Sequence, residues 1–423
     1  VKQPENALIV KEGEGQQDAV ALGDGIFMSR GISNSYLVTT SDGNVLINTG
    51  MHFEAAEIRR RFAAVSSNPI RVIVFTQGHS DHVGGWSQFD GPGIETIAQA
   101  DHADVREYWR GLQPFMTART GKLWSRDLPD ADRTFQPPEP VVTTTFLDAH
   151  PFEVGGRRFE LYSTPGGETT DSLVVWLPDS RTVFTGNLTG PLFGHIPNLY
   201  TPRGDKIRSA IKYLHSVDRV IALEPDTLIT GHGEPIHGAD EIRRRLTQMR
   251  DATEYIRDRT FEGMNAGTDL WTLMGQVQLP PELAIPQGHG KVPWLVRAIW
   301  EEHAGWFRYE STTELYDVPP AAIGLELLEL AGGSDVFVAR ARAHLEAERP
   351  LHALQFVDIV LAQDPTAVDA LEVKLGALEQ LLEASGRENF SEVRWLEAEI
   401  RDTQALLPRG PSAPARQGEE REG

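Results

Sequence analysis

Apolar runs separated by short polar clusters fill the first half of the chain, and apolar positions at helical spacing fill the last quarter. Ser33-Asn-Ser-Tyr-Leu-Val-Thr-Thr40 and Val45-Leu-Ile-Asn-Thr-Gly50 flank the turn sequence Ser41-Asp42-Gly43-Asn44, which predicts two strands joined by an Asp-Gly turn. Helical spacing follows from Glu54 to Ala64, and then Arg71-Val-Ile-Val-Phe-Thr76 has the length and β-branched content of a buried strand. A helix is predicted over Ala103 to Leu112, inside a Pro-rich stretch at 101–140 that reads as a surface loop or a cover over a site. Later strands are predicted after Phe159, over Ser172 to Leu177, from Arg181 to Gly186 and from Thr227 to Thr230. From about Pro319 helix formers take over, and Val336 to Ala347, Leu351 to Ala362, Val368 to Ala384 and Ser391 to Ala405 read as amphipathic helices. Asp364-Pro365 and Ser385-Gly386 separate them, in a pattern compatible with stacked helix pairs that bury a face only against neighbours.

Composition narrows the class. A chain of 423 residues exceeds what one hydrophobic core normally supports, so two domains are expected. With 61 acidic against 40 basic residues the formal charge is −21, which repels phosphate backbones and argues against nucleic acid as a partner. A local basic pocket for a small anion stays open. Zero cysteine removes disulfides, thiolate metal sites and a cysteine nucleophile together. No apolar stretch is long enough to span a membrane, so the expectation is a cytoplasmic protein without a membrane span. The chain begins with Val, which leaves room for a removed leader.

The candidate chemistry sits where the 71–76 strand ends. Gln77-Gly-His79-Ser-Asp81-His82 packs four potential ligands into six residues on a loop, and imidazole with carboxylate is the donor set zinc takes when no thiolate is on offer. Two further strand ends carry polar residues of the same kind, Thr164-Pro-Gly166-Gly167-Glu168 and Gly186-Asn187. A third strand ends in Gly231-His232-Gly233, whose glycines let backbone and ligand approach closely.

Residues 77–82 resemble the His-x-His-x-Asp-His signature of the metallo-β-lactamase superfamily, with Gln77 where that family usually has His. The Asn48-Thr49-Gly50 segment and the strand, strand, helix, strand order resemble the opening of the same fold. The resemblance implies an α/β fold, the metallo-β-lactamase αββα sandwich, followed here by an all-α helical domain. Pro197-Asn198-Leu-Tyr200-Thr201-Pro-Arg203-Gly204 is similar to a segment of the bacterial alkyl sulfatases, which also place Glu where Glu168 stands. Trp294 to Phe307 resembles the helix leading into their dimerisation domain. Two departures stand out: those enzymes have His at the place of Gln77 and Glu at the place of Gly186. Their C-terminal sterol-carrier-like domain is not recognised here.

These readings divide the chain into a lead-in (1–24), a catalytic domain (25–290), a helical dimerisation domain (291–407) and a disordered tail (408–423). The resemblance implies metal ligands Gln77, His79, Asp81, His82, Glu168, Asn187 and His232, with Asp81 also catalytic, and Asn198, Tyr200 and Arg203 as substrate-binding residues. Asp81, His82 and His232 make a complete three-ligand set with a vacancy for water. Gln77, His79 and Glu168 make a poorer one, and neutral Asn187 screens a second cation less than a bridging carboxylate would. One firmly held zinc is therefore expected, with a weak second position whose amide and carboxylate oxygens suit iron or manganese. The expected activity is hydrolysis of a sulfate monoester or similar anionic ester by zinc-bound hydroxide, in a homodimer joined by its C-terminal helices. The alternatives are hydrolysis of a lactone, β-lactam, thioester or phosphodiester on the same fold, and a non-catalytic, metal-stabilised dimeric binding protein.

Overall fold

The computed structural model describes residue 13 and residues 15–123 and 135–408; the predicted tail beyond Pro408, and the lead-in before residue 13, lie outside the described residues. The chain forms two compact units. One comprises the residues up to Phe307 together with Glu388–Ser391, and the other comprises Arg308–Arg387 and the residues from Glu392 onward.

The first unit is built on two sheets. The first sheet has seven strands in chain order: Val20–Gly23 (β1), Ile26–Ser29 (β2), Ser35–Thr40 (β3), Gly43–Ile47 (β4), Ile70–Val74 (β5), Glu95–Gln99 (β6) and Thr144–Phe146 (β7). Strands β1 to β4 pair antiparallel and β4 to β7 parallel, with the helix Ala55–Val65 crossing over between β4 and β5. The second sheet has six: Ala149–Val154 (β8), Arg157–Ser163 (β9), Leu173–Leu177 (β10), Thr182–Gly186 (β11), Thr227–Thr230 (β12) and Ile236–His237 (β13). Only β11 and β12 pair parallel there, joined through the helix Ala210–Leu223.

Side-chain alternation explains why both sheets read as unbroken apolar runs. On β3, β4 and β5 the residues Tyr36, Val38, Val45, Ile47, Val72 and Val74 face the second sheet and pack with Leu173, Val175, Phe184 and Ile229. Their neighbours Leu37, Leu46 and Ile73 face the other way, against Ile58 and Phe62 of the crossover helix. Likewise Val174 and Trp176 of β10 and Leu228 of β12 face outward, onto Tyr213, Val217, Leu246 and Met249. Strands covered on both faces have no solvated side to make polar. The result is the αββα sandwich, four layers with one core between the sheets and one under each helical layer.

Helix Val292–Ala304, expected to open the helical domain at residue 291, contributes Val292, Leu295, Val296, Ala298, Ile299 and Trp300 to the core under the second sheet. Periodicity identifies a helix and its apolar face but not the surface that face meets.

The second unit consists mainly of the helices Gly324–Ala331, Ser334–Glu346, Pro350–Gln363, Val368–Ala384 and the body of Phe390–Leu406. Fully buried Ala341, Ala353, Ala370 and Ala377 sit among Leu328, Val338, Val357 and Val360, so small side chains let the helix axes come close. Leu325, Leu330, Val336 and Leu351 of this unit remain exposed.

Candidate metal centre and its cavity

The site lies where β4, β5, β11 and β12 end. Asn48, left-handed at φ 60°, follows β4 and turns its side chain toward β5. Its Oδ1 accepts from the Thr76 N–H at 3.0 Å and its Nδ2 lies 3.0 Å from Thr76 Oγ1. Thr76 Oγ1 in turn lies 3.4 Å from Nδ1 of His82, so an amide at position 48 holds the hydroxyl that orients this imidazole. A helical turn, Ser80–Val83, then presents Asp81 and His82, and Ser33 Oγ donates to the Asp81 carbonyl at 2.5 Å. On the opposing sheet, a Cβ on Gly231 would meet Asn187 Oδ1 at 2.1 Å, which explains the small residue before His232.

Asp81, His82 and His232 converge, with their ligand atoms within 4.8 Å of one another. Asp81 Oδ2 is 3.4 Å from His82 Nε2 and 3.8 Å from His232 Nε2, close to the ligand spacing around a tetrahedral ion. The buried Nε2 of His82 has no hydrogen-bond partner. Burial pushes the His82 imidazole down to about 4, which keeps it neutral and available as a donor, and His82 and His232 hold the Asp81 carboxyl low against its burial. These residues fit a divalent ion.

The other candidate ligands are adjacent, but they bond to one another. His79 Nδ1 lies 3.1 Å from the Gln77 amide and 3.4 Å from Glu168, and Nε2 lies 3.2 Å from Asp205. Burial opposes charge on this ring, yet the bonds to Asp205 and Glu168 raise its pKa. Asn187 places Nδ2 3.1 Å from Glu168 and 3.2 Å from His232 Nε2. Of the two positions considered at the end of β11, Asn187 thus reaches the site, whereas a Cβ on Gly186 would meet Thr76 Oγ1 at 2.7 Å. These groups bond to one another, but Gln77 Oε1 and Asn187 Oδ1 are buried without a hydrogen-bond partner, and Asn187 Nδ2 also reaches His232 Nε2.

A cavity of about 250 Å³ opens from this centre. Its apolar wall includes Met51, Trp109, Met116 and Phe135, drawn partly from the 101–140 stretch, which forms the helices His102–Gly111 and Gln113–Leu123. Asn198, Arg203 and Arg208 also line the cavity. Arg203 stacks over Trp109 at 5.2 Å and approaches Asp205 at 3.7 Å. Tyr200 does not line the cavity. It packs on the core under the second sheet, and its hydroxyl bonds Glu301; burial, with that carboxylate, raises its pKa.

Several residues of the site lie outside the candidate residues of the sequence analysis. Asp205 joins His79, Arg203, Arg208 and the Tyr108 hydroxyl, and those partners hold it ionised despite burial. His289 stands 3.5 Å from Glu168 Oε1, and it sits in Gly288-His289-Gly290, a repeat of the pattern around His232 that could have been noticed. Burial lowers the pKa of His289, while bonds from His289 and His79 take Glu168 well below the usual carboxylate range against its own burial. Asn389 donates to the carbonyls of Gln287 and His289 at 2.7 and 3.1 Å and so fixes the His289 loop. His195 accepts from Gly288 N at 3.0 Å on the other side of that loop.

Residues 28–232 match the metallo-β-lactamase superfamily and residues 272–397 match the alkyl sulfatase dimerisation family. The chain thus carries a metallo-β-lactamase-type region followed by a region that matches alkyl sulfatase dimerisation. That superfamily implies a bound divalent metal. The chain is 28% identical to a linear primary-alkylsulfatase of a Pseudomonas species over 74% of its own length and 63% of the relative's. It is 23% identical to an alkyl/aryl-sulfatase of Saccharomyces cerevisiae over 85% of its own length and 60% of the relative's. It thus spans less than two thirds of the length of these curated relatives. Its fold matches that of a stereoselective inverting sec-alkylsulfatase from Pseudomonas with a TM-score of 0.81 at 21% identity, over 94% of this chain and 67% of that one. Among the described residues no helix is long and apolar enough to cross a membrane.

Proposed function

We propose that the chain is a metal-dependent hydrolase of sulfate monoesters that carry an apolar group, with one zinc ion at Asp81, His82 and His232. The observation that carries this reading is the convergence of those ligand atoms beside a cavity that Asp81 and His232 line together with Asn198, Arg203 and apolar side chains. The named activities of the alkylsulfatase relatives support it.

The chain's own residues divide the work. Arg203 offers a planar fork to a tetrahedral anion, held in orientation by Trp109 and Asp205. Asn198, 3% exposed, offers an amide whose nitrogen and oxygen have no hydrogen-bond partner. Met51, Trp109 and Met116 take up the organic part and exclude water around the ester. The ion supplies Lewis acidity and acidifies water, which makes hydrolysis feasible at neutral pH. His79, between Asp205 and the Gln77 amide, belongs on this reading to a hydrogen-bonded support rather than to a strong second metal position. The dimerisation region and the exposed Leu325, Leu330, Val336 and Leu351 support a homodimer through the second unit.

Sulfate release from decyl sulfate by zinc-loaded protein tests the reading, together with the Michaelis constants of Arg203→Ala for decyl sulfate and for a neutral ester. Release that stops on chelation, and a larger rise in the constant for the sulfate, are expected. Turnover of a lactone or neutral ester without sulfate release would assign another hydrolysis. Ligand binding without any turnover in metal-replete protein would make the chain a binding protein.

A further inference from the structure

Arg208 is unusual among the arginines of the chain. It is 6% exposed and lines the cavity beside Asn198 and Glu168. One end of its guanidinium is fixed, because Nη1 donates to the Asn198 carbonyl. The other edge is not. Both Nε and Nη2 are buried without a hydrogen-bond partner, and the nearest carboxylate oxygen recorded for Nη2, Asp205 Oδ2, stands at 3.6 Å, beyond hydrogen-bond range. Nε–H and one Nη2–H lie side by side on a single edge of the planar group, the fork that takes two oxygens of one anion. Asn198 shows the same deficiency, with Nδ2 and Oδ1 both buried and unpartnered. Buried polar atoms are nearly always paired, so an open guanidinium edge and an open amide on one cavity wall point to a missing partner.

We infer that Arg208 is a substrate-binding residue, whose Nε and Nη2 edge, with the Asn198 amide, grips the oxyanion head of the ester in the cavity. The inference rests on the sulfate-ester reading above and names a donor that reading did not use. Arg203 approaches from the Trp109 side, with 17% of its side chain exposed, whereas Arg208 is 4% exposed by the same measure. Arg208 is therefore the more desolvated of the two guanidinium groups, and a charge-assisted bond there is screened less by water. Asp205 approaches both and keeps the two cations from repelling each other in an empty cavity. Arg208 N–H also donates to the Leu199 carbonyl at 3.0 Å, which ties the backbone carrying the fork to the loop that carries Asn198.

The rival role is purely structural, a tie between the Asn198 carbonyl and Asp205. Calorimetry on the zinc-loaded full chain with octane-1-sulfonate separates the two roles, because this ligand presents the same sulfo group on a carbon that cannot be hydrolysed. Octan-1-ol serves as the neutral probe. Arg208→Met should weaken sulfonate binding about 30-fold or more, and Arg208→Lys, which keeps the charge but loses the fork, about tenfold. Octan-1-ol binding should change by less than about twofold in both. If the Met variant does not fold, the Lys variant carries the test. Unchanged sulfonate affinity, or equal losses for both ligands, would overturn the assignment. Should the unaltered protein release sulfate while the Arg208 variants bind sulfonate normally, Arg208 alone is reassigned. If the unaltered protein neither binds sulfonate nor releases sulfate, the reading of the whole site falls.

Discussion

His79 and Asp205 face each other at 3.2 Å, with the imidazole Nε2–H donating to a carboxylate that also receives the Tyr108 hydroxyl at 2.6 Å. On the proposed single-ion reading, a ring held in this way, with its other nitrogen against the Gln77 amide, takes up a second cation only weakly. Gln77→His with Asn187→Asp adds an imidazole and a negative charge at the weak position. Second-metal affinity should rise at least about tenfold, equivalent to about 1.4 kcal/mol, as read by zinc titration in a calorimeter. Two equally tight ions in the unaltered protein would contradict the single-ion account.

Glu54 provides a pH-dependent element beside the site. Burial pushes its carboxyl up to about 7, well above the usual carboxylate range, against backbone bonds from Ile32 at 2.8 Å and Met51 at 3.1 Å. The folded state thus binds this proton more tightly than the unfolded one. Its contribution is complete below the unfolded value and is lost as pH rises toward and through 7, by up to about 3 kcal/mol. Urea unfolding of metal-stripped protein at about pH 5 and about pH 8 should show that loss, and Glu54→Gln, which mimics the neutral acid, should remove most of it.

Between the sheets, Phe184 meets Tyr36 edge to face at 5.2 Å, and both are almost fully buried. Phe184→Ala leaves a cavity at the junction of β3 and β11 and should cost about 3–5 kcal/mol in denaturant unfolding.

Asn389 is far in sequence from the residues it fixes. Replacing it with Ala removes the donor to the Gln287 and His289 carbonyls and should cost about 1–3 kcal/mol. Faster amide exchange in the 287–290 loop is the expected sign, and unchanged exchange there would show that the loop holds without it. A truncation that removes the second unit would also remove this bond, so oligomeric state by light scattering should be read on full-length surface variants such as Leu330→Glu and Leu351→Glu.

Much of the fold was legible because strands covered on both faces must be apolar throughout, and the hairpin at Asp42-Gly43 and the parallel strand before Gln77 follow from that rule. Asp81, His82 and His232 were legible as strand-end motifs. Asp205, Arg208 and Tyr108 were not, since a single polar residue in a loop has no periodicity and acquires meaning only from what folding brings against it. His289 had a signal in its flanking glycines. A Cβ on Gly290 would meet the Pro197 carbonyl at 2.2 Å, which is the close approach such a residue marks. Tyr200 shows the converse, a residue inside a recognisable motif whose ring turns to the core.

Whether one ion at Asp81, His82 and His232 supports hydrolysis of a sulfate ester is decided by a zinc titration of metal-stripped protein followed by sulfate release from decyl sulfate. Activity should rise linearly and saturate at one zinc per chain, and none should appear in His232→Ala at any zinc concentration. Saturation only at two ions per chain, or sulfate release that persists in His232→Ala, would contradict it.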